Sequence, residues 1–155
     1  MKKNTGFTLI EVLISMLVLA VGLLGLAGLQ ATGLRNNLSA YNRSQATQMA
    51  YDLTDRMRAN PADTNNLAAS TYLTIVPTAA DAQAACEQVA NTCTPAQMAQ
   101  NDLFLWNRDV TTVLPMGQGT IAFASSVYTI TINWDDNRDG NRDTDDPNFQ
   151  MSFQL

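Results

Sequence analysis

The sequence predicts an α+β protein, a long N-terminal helix packed on a C-terminal antiparallel β-sheet. Three observations predict it. Val12 to Leu29 is an apolar run of 18 residues in which only Ser15 is polar. Beyond it the chain turns polar but keeps a helical period up to Asn60-Pro61. Near the C-terminus, apolar residues recur at every second position, the period of strands with one buried face.

The elements follow in order. Counted from Phe7, the apolar part of the helix is 23 residues, roughly 35 Å at 1.5 Å per residue and long enough to span a membrane. Gly22, Gly25, Gly28 and Gly33 punctuate the helix. They read equally as sites of close helix–helix approach or as points where the helix could melt. The second half carries Leu34, Leu38, Tyr41, Met49, Leu53 and Met57 as an inward stripe, with Arg35, Asn42, Arg43, Asp52 and Arg56 on the remainder. The helix should stop at Ala59, because the residue before Pro61 avoids the α region. Asp63 to Asn66 reads as a polar loop, Thr71 to Val76 as a short strand and Ala79 to Ala90 as a helix. Thr94-Pro95 is a helix start with Thr as N-cap. That helix should run to about Leu114, with Met98, Leu105, Trp106, Val110, Val113 and Leu114 inward. Ile121 to Ala124 is a short strand. Tyr128, Ile130, Ile132 and Trp134 define a second, and Phe149, Met151, Phe153 and Leu155 a third.

Composition narrows the chemistry. There are 9 Lys and Arg against 14 Asp and Glu, and no His. The net charge of −5 predicts no nucleic-acid contact, which would need clustered cations. Without His, a Ser–His–Asp triad and His-ligated metals are excluded. No catalytic constellation is visible, so no enzymatic activity is expected. Asp102 and Asp109 read as solvated residues of a surface helix. Cys86 and Cys93 read as one disulfide, which points to an oxidising compartment. Their spacing is not that of a Cys-x-x-Cys redox pair.

Glu11 is the anomaly. A carboxylate at the bilayer centre costs up to about 3 kcal/mol, less near the interface, and a plain anchor needs none. Lys2-Lys3-x-x-Gly6 followed by Phe7-Thr8-Leu9-Ile10-Glu11-Val12 resembles the type IV prepilin signature. The resemblance implies cleavage between Gly6 and Phe7 by a prepilin peptidase, N-methylation of Phe7 and retention of the helix. It also implies that Glu11 compensates the new ammonium at Phe7 of a neighbouring subunit and so sets its axial register; pairing within its own chain, one helical turn away, is the alternative. The physical reason is that an unpaired charge in an apolar bundle is costly. Asp55-Arg56-Met57-Arg58-Ala59-Asn60-Pro61 is similar to the helix end of the PilV group of minor pilins.

The resemblance implies a leader over 1–6, a transmembrane or filament-core helix over 7–29, an amphipathic half over 30–60 and a periplasmic head over 61–155. It implies a single-pass inner-membrane protein that enters the extracellular pilus. Its partners would be other minor pilins, the major pilin, the peptidase/methylase, the inner-membrane assembly platform and membrane lipid. Its role would be to start or cap assembly of a pilus used in adhesion, twitching motility or DNA uptake. A pseudopilin of a type II secretion system and a membrane-anchored periplasmic ligand-binding domain are the alternatives.

Six of the 14 acids lie between Asp135 and Asp146. Asp135, Asn137, Asp139, Gly140 and Asp143 match positions 1, 3, 5, 6 and 9 of a calcium loop, with Asn141 at position 7 and Asp146 at the closing position. The flanks read as strands, not the helices of an EF-hand, and the closing residue is Asp instead of Glu. Calcium binding and a solvated turn rich in Asp, Asn and Gly are both open on the sequence.

Overall fold

The computed structural model describes residues 6–88 and 92–155. Among the described residues four helices and three strands follow in order: α1 (Leu9–Ala59), α2 (Pro61–Thr64), α3 (Thr71–Thr74), α4 (Pro95–Val113), β1 (Gln118–Ala124), β2 (Val127–Asn133) and β3 (Asn148–Phe153). Short 3₁₀ turns lie at Pro77–Ala79 and Ala84–Cys86. The chain divides into two compact units, Met1–Ala40 and Tyr41–Leu155.

In the first unit α1 runs through all four glycines without a break. It starts at Leu9, two residues later than the apolar run suggests. Thr8 accepts the first backbone bonds, from Glu11 and Val12 at 3.1 and 3.4 Å, so it occupies the boundary position.

The second unit is built on an antiparallel sheet of order β1-β2-β3. Ile132 pairs with Gly119 and Phe149, Ile130 with Ile121 and Met151, and Tyr128 with Phe123 and Phe153. These rows form the inner face. Tyr128, Ile130, Ile132 and Trp134 are buried, as the alternation predicts. They share a core with Ala46, Met49, Ala50, Leu53 and Met57 of α1 and with Ala99, Leu103, Trp106 and Val110 of α4. Trp106 joins the layers: its indole N–H donates to the Met49 carbonyl at 2.9 Å, while its ring lies over Gly119 of β1.

Several expectations are corrected. On α1 the buried stripe is Asn42, Ala46, Met49, Ala50, Leu53, Thr54 and Met57. Leu34, Leu38 and Tyr41 are exposed, and Asn42, expected outside, is inside. Small residues at 46 and 50 let the helix approach its neighbours closely, which apolarity alone does not reveal. On α4 the inward positions are Ala99, Leu103, Trp106, Val110 and the following Leu114; Met98 and Val113 are exposed. The N-cap prediction holds and extends to a full capping box between Thr94 and Gln97, the reciprocal arrangement that satisfies two helix-end donors.

Thr71–Thr74 is a helical turn, not a strand. The polar stretch before it also contains a turn of helix, Pro61–Thr64. Both follow from Asp63, which is buried and accepts from Ser70 Oγ at 3.0 Å, Thr71 N at 2.9 Å and Thr71 Oγ1 at 2.7 Å. The donors at 70 and 71 curl the chain and override its β-branched composition. The helix expected over Ala79–Ala90 is not formed in its described part. Ala80 and Gln83 are extended, and Gln83 is tied to α4 by Asn101 Oδ1 at 2.8 Å and Gln100 Oε1 at 3.0 Å. Residues 89–91 lie outside the described residues. Cys86 and Cys93 form a disulfide. Closing so short a loop contributes about 2 kcal/mol in the chain-entropy account.

Candidate functional site

The N-terminal segment is built from a few residues. Lys2, Lys3 and the rest of the leader up to residue 5 lie outside the described residues. Phe7 is 84% exposed. Glu11 is in the first turn of α1, where a carboxylate meets the positive end of the helix dipole. Phe7, Glu11 and Ser15 line one hollow of about 380 Å³ with Val12, Met16 and Leu19. The structure therefore brings the predicted cleavage residue Phe7 and the predicted assembly residue Glu11 to one side of the chain. Ser15 Oγ donates to the Glu11 carbonyl at 2.7 Å, and Thr32 Oγ1 to the Gly28 carbonyl at 3.1 Å. Both hydroxyls are thus satisfied within the helix, as an apolar surrounding demands.

Around this site the helix is long and apolar enough to cross a membrane, and none of its most apolar 18-residue window is buried in the chain. A helix apolar on every side is covered by lipid or by other helices. Apart from Glu11, the stretch from Phe7 to Gly33 holds no charge.

The model of the prokaryotic N-terminal methylation motif matches residues 1–27, and the Tt1218-like model, described as type IV pilin Tt1218, matches residues 28–104. The two adjoin, and together they cover Met1 through the first half of α4. The chain is a type IV pilin. No curated protein and no solved structure matches significantly. The fold of this pilin is the predicted one, a long N-terminal helix and a three-stranded antiparallel sheet. Membership implies processing by a prepilin peptidase, membrane anchoring through the apolar helix and assembly with other pilins.

In the pilin's head, the acidic loop between β2 and β3 is organised by its own backbone. Asp135 is buried and accepts from Arg138 N at 2.6 Å and Gly140 N at 3.0 Å. Asn137 accepts from Asp139 N, and Asp139 from Asn141 N, both at 2.8 Å. Asp143 accepts from Asp145 N at 3.0 Å. Asp146 takes Asp136 N on one oxygen at 2.9 Å and Asp143 N on the other at 3.2 Å. Asp136 bolts the loop to α1 and the core, accepting from Asn42 Nδ2 at 3.0 Å and Trp134 Nε1 at 2.8 Å. Among the described residues no three His, Cys, Asp or Glu side chains group as metal ligands.

A polar network at the end of α1 was not foreseen. Asp102, expected in solvent, is buried. It accepts from the Tyr72 hydroxyl at 2.6 Å and from Arg56 Nη1 at 3.2 Å. Arg56 also bonds Asp52 at 2.8 Å, and Asn60 Nδ2 donates to the Pro95 carbonyl at 2.8 Å. Asp109 is half-buried and pairs with Arg108 at 3.0 Å. The Asp52–Arg56 spacing of four was the only sequence signal; Tyr72 and Asp102 are 30 residues apart.

The network carries a pH dependence. Burial pushes the Tyr72 phenol above its ordinary range, and the Asp102 carboxylate adds to the shift. Burial and the charge of Asp63 move Tyr128 the same way. The folded state holds these protons more tightly, so their stabilisation is complete below about pH 10, the unfolded tyrosine value, and falls as pH rises beyond it. Thermal unfolding followed from about pH 8 to pH 11 should show a declining Tm. Tyr72→Phe should flatten that decline and cost about 1–2 kcal/mol at neutral pH, by removing one partner of a buried carboxylate.

Proposed function

We propose that this pilin is a minor pilin, similar to the PilV group, that helps to start or cap type IV pilus assembly and has no enzymatic activity of its own. The carrying observation is an uncovered apolar helix with one carboxylate beside Phe7. Such a helix needs partners, and the carboxylate selects how they stack. The sequence Asp55 to Pro61 supports the minor-pilin assignment. In this reading Glu11 pairs with the Phe7 ammonium of a neighbouring subunit and sets its axial register. The protein sits in the inner membrane with its head in the periplasm before it enters the pilus. Its neighbours are the other minor pilins, the major pilin and the assembly platform. Surface attachment, twitching motility or DNA uptake then depend on it through the pilus.

Mass spectrometry of the chain from sheared pili tests this reading. The expected N-terminus is N-methylated Phe7, at levels far below the main subunit, with fewer pili when the protein is missing. A chain absent from pili but required for protein secretion would make it a secretion pseudopilin.

We read the acidic loop as a turn that folds without metal. The support is Asp146, whose two oxygens each hold a backbone N–H, where a calcium loop would use a bidentate ligand. Calcium at millimolar levels is expected to leave Tm unchanged. A stabilisation of about 3 kcal/mol, as saturating ligand gives near a hundredfold its Kd, would instead establish a calcium site at Asp135, Asn137, Asp139, Asn141, Asp143 and Asp146.

A further inference from the structure

The outer face of the sheet has a composition that neither the core nor assembly explains. The register stacks Gln118, Asn133 and Asn148 in one row, and Thr120, Thr131 and Gln150 in the next. Ala122, Thr129 and Ser152 form the third row. Of these nine side chains eight carry an amide or a hydroxyl and none carries a charge. At the amide end the acidic loop rises beside the sheet and Arg142 Nη1 bonds Gln118 Oε1. Between them is a groove of about 390 Å³, lined also by Met116, Asn141, Asp143 and Asp146. That volume falls in the range of roughly 300–1,000 Å³ typical of small-molecule clefts.

The decisive point is which polar groups in the groove are already engaged. Arg142 is held by Gln118. Asp146 is held by two backbone N–H groups, and Asp143 by one. The side-chain amides of Asn133, Asn141 and Asn148, by contrast, make no protein hydrogen bond among the described residues. These three amides are neutral, and each offers both donors and an acceptor. Arg142 keeps further N–H donors beyond the one on Gln118, and Asp143 uses one oxygen for Asp145 N, so the groove carries both signs of charge beside the neutral amides and favours neither an anion nor a cation. A ligand whose every polar group both donates and accepts is the chemical complement.

A second observation concerns Met116 at the rim. It is half exposed and has φ of +48°, a left-handed conformation that is unfavourable for a bulky residue. The surrounding bonds enforce it: Gly117 N donates to the Leu114 carbonyl at 3.0 Å and Asp135 N to the Pro115 carbonyl at 2.9 Å. A strained residue held at the edge of a groove marks a place worth testing for function. Here it supplies an apolar contact beside the amides.

We propose that this groove binds a neutral saccharide, with Asn133, Asn141 and Asn148 hydrogen-bonding its hydroxyls and Met116 packing on its apolar edge. This goes beyond the minor-pilin reading and does not depend on it, since the groove lies wholly in the head.

Detergent-solubilised full chain incubated with insoluble cellulose, chitin and cross-linked dextran tests the inference, with alginate beads as an anionic control. The expected result is retention on at least one neutral polysaccharide that persists at about 0.5 M salt, where exposed charges are screened within a few ångström. Asn133→Ala combined with Asn148→Ala should reduce retention at least about tenfold, and Asn141→Ala, on the loop, should weaken it alone. Ser152→Ala, at the far end of the same face, should not. Retention on alginate only, elution by salt, no retention on any neutral polysaccharide, or equal retention by the asparagine variants would each overturn the proposal. Should the double variant fail to unfold cooperatively, the Asn141→Ala result decides.

Discussion

Glu11→Val is expected to insert in the membrane, to be cut after Gly6 and to be nearly absent from pili. The substitution removes the only charge between Phe7 and Gly33, so insertion becomes easier. The cut lies five residues upstream of position 11 and needs no contact with the carboxylate. What is lost is compensation for the Phe7 ammonium once lipid and water are replaced by neighbouring helices. Removing one partner of a buried ion pair costs about 3–5 kcal/mol, so incorporation should fall by at least about a hundredfold at equilibrium. Quantifying the variant in sheared pili against the membrane fraction measures this. Glu11→Gln separates charge from shape, since it preserves length and hydrogen bonding. If Gln restores incorporation, the role of position 11 is packing and the electrostatic reading is wrong. Glu11→Asp should recover part of the effect, because the charge remains on a shorter arm.

The features read correctly from sequence are those set by local chemistry. The apolar run, the helix stop at Asn60-Pro61, the start at Thr94-Pro95 and the alternation around Tyr128–Trp134 each depend on neighbours within a few positions. The disulfide between Cys86 and Cys93 was also legible, as the pairing of two cysteines without histidine. The errors share a different origin. Asp63 looks like a loop residue until Ser70 and Thr71 fold back onto it, and that contact converts a predicted strand into a turn of helix. Asp102 looks solvated until Arg56 and Tyr72 converge on it from distant segments. Leu34, Leu38 and Tyr41 look like a core stripe, yet each is exposed. Their spacing is correct for burial, but which residues a helix buries also depends on where the rest of the chain reaches it. At the candidate site the motif named Phe7 and Glu11, and the structure added the shared face with Ser15. The groove on the outer sheet face could not be read at all, because it requires the register of three strands and the rise of a loop beside them.

Gly119→Ala is expected to destabilise the head strongly for a change of one methyl group. Gly119 lies on the inner face of β1 opposite Ile132, in a row where any other strand would place an apolar side chain. A Cβ built there would overlap Cη2 and Cζ3 of the Trp106 ring. The indole cannot move aside cheaply. Its N–H is held by the Met49 carbonyl of α1, and its ring is fully buried in the core. Shifting it would break a bond between α4 and α1 while disturbing the packing around Leu53 and Ile132. Overpacking typically costs about 1–3 kcal/mol, and the rigidity of both partners places this site at or above the upper end. For a unit of this size about 3 kcal/mol corresponds to a fall in Tm of roughly 10 °C, measurable by near-ultraviolet circular dichroism. Trp106→Phe alone should also destabilise, by leaving a cavity and removing the Met49 bond. The two changes should not add. A smaller ring leaves room for the new methyl, so the double variant should be more stable than the sum of the singles predicts, by about 1 kcal/mol or more. Strict additivity would mean that the indole does not confront Gly119 in solution, and the clamp joining α1, α4 and β1 would have to be redrawn.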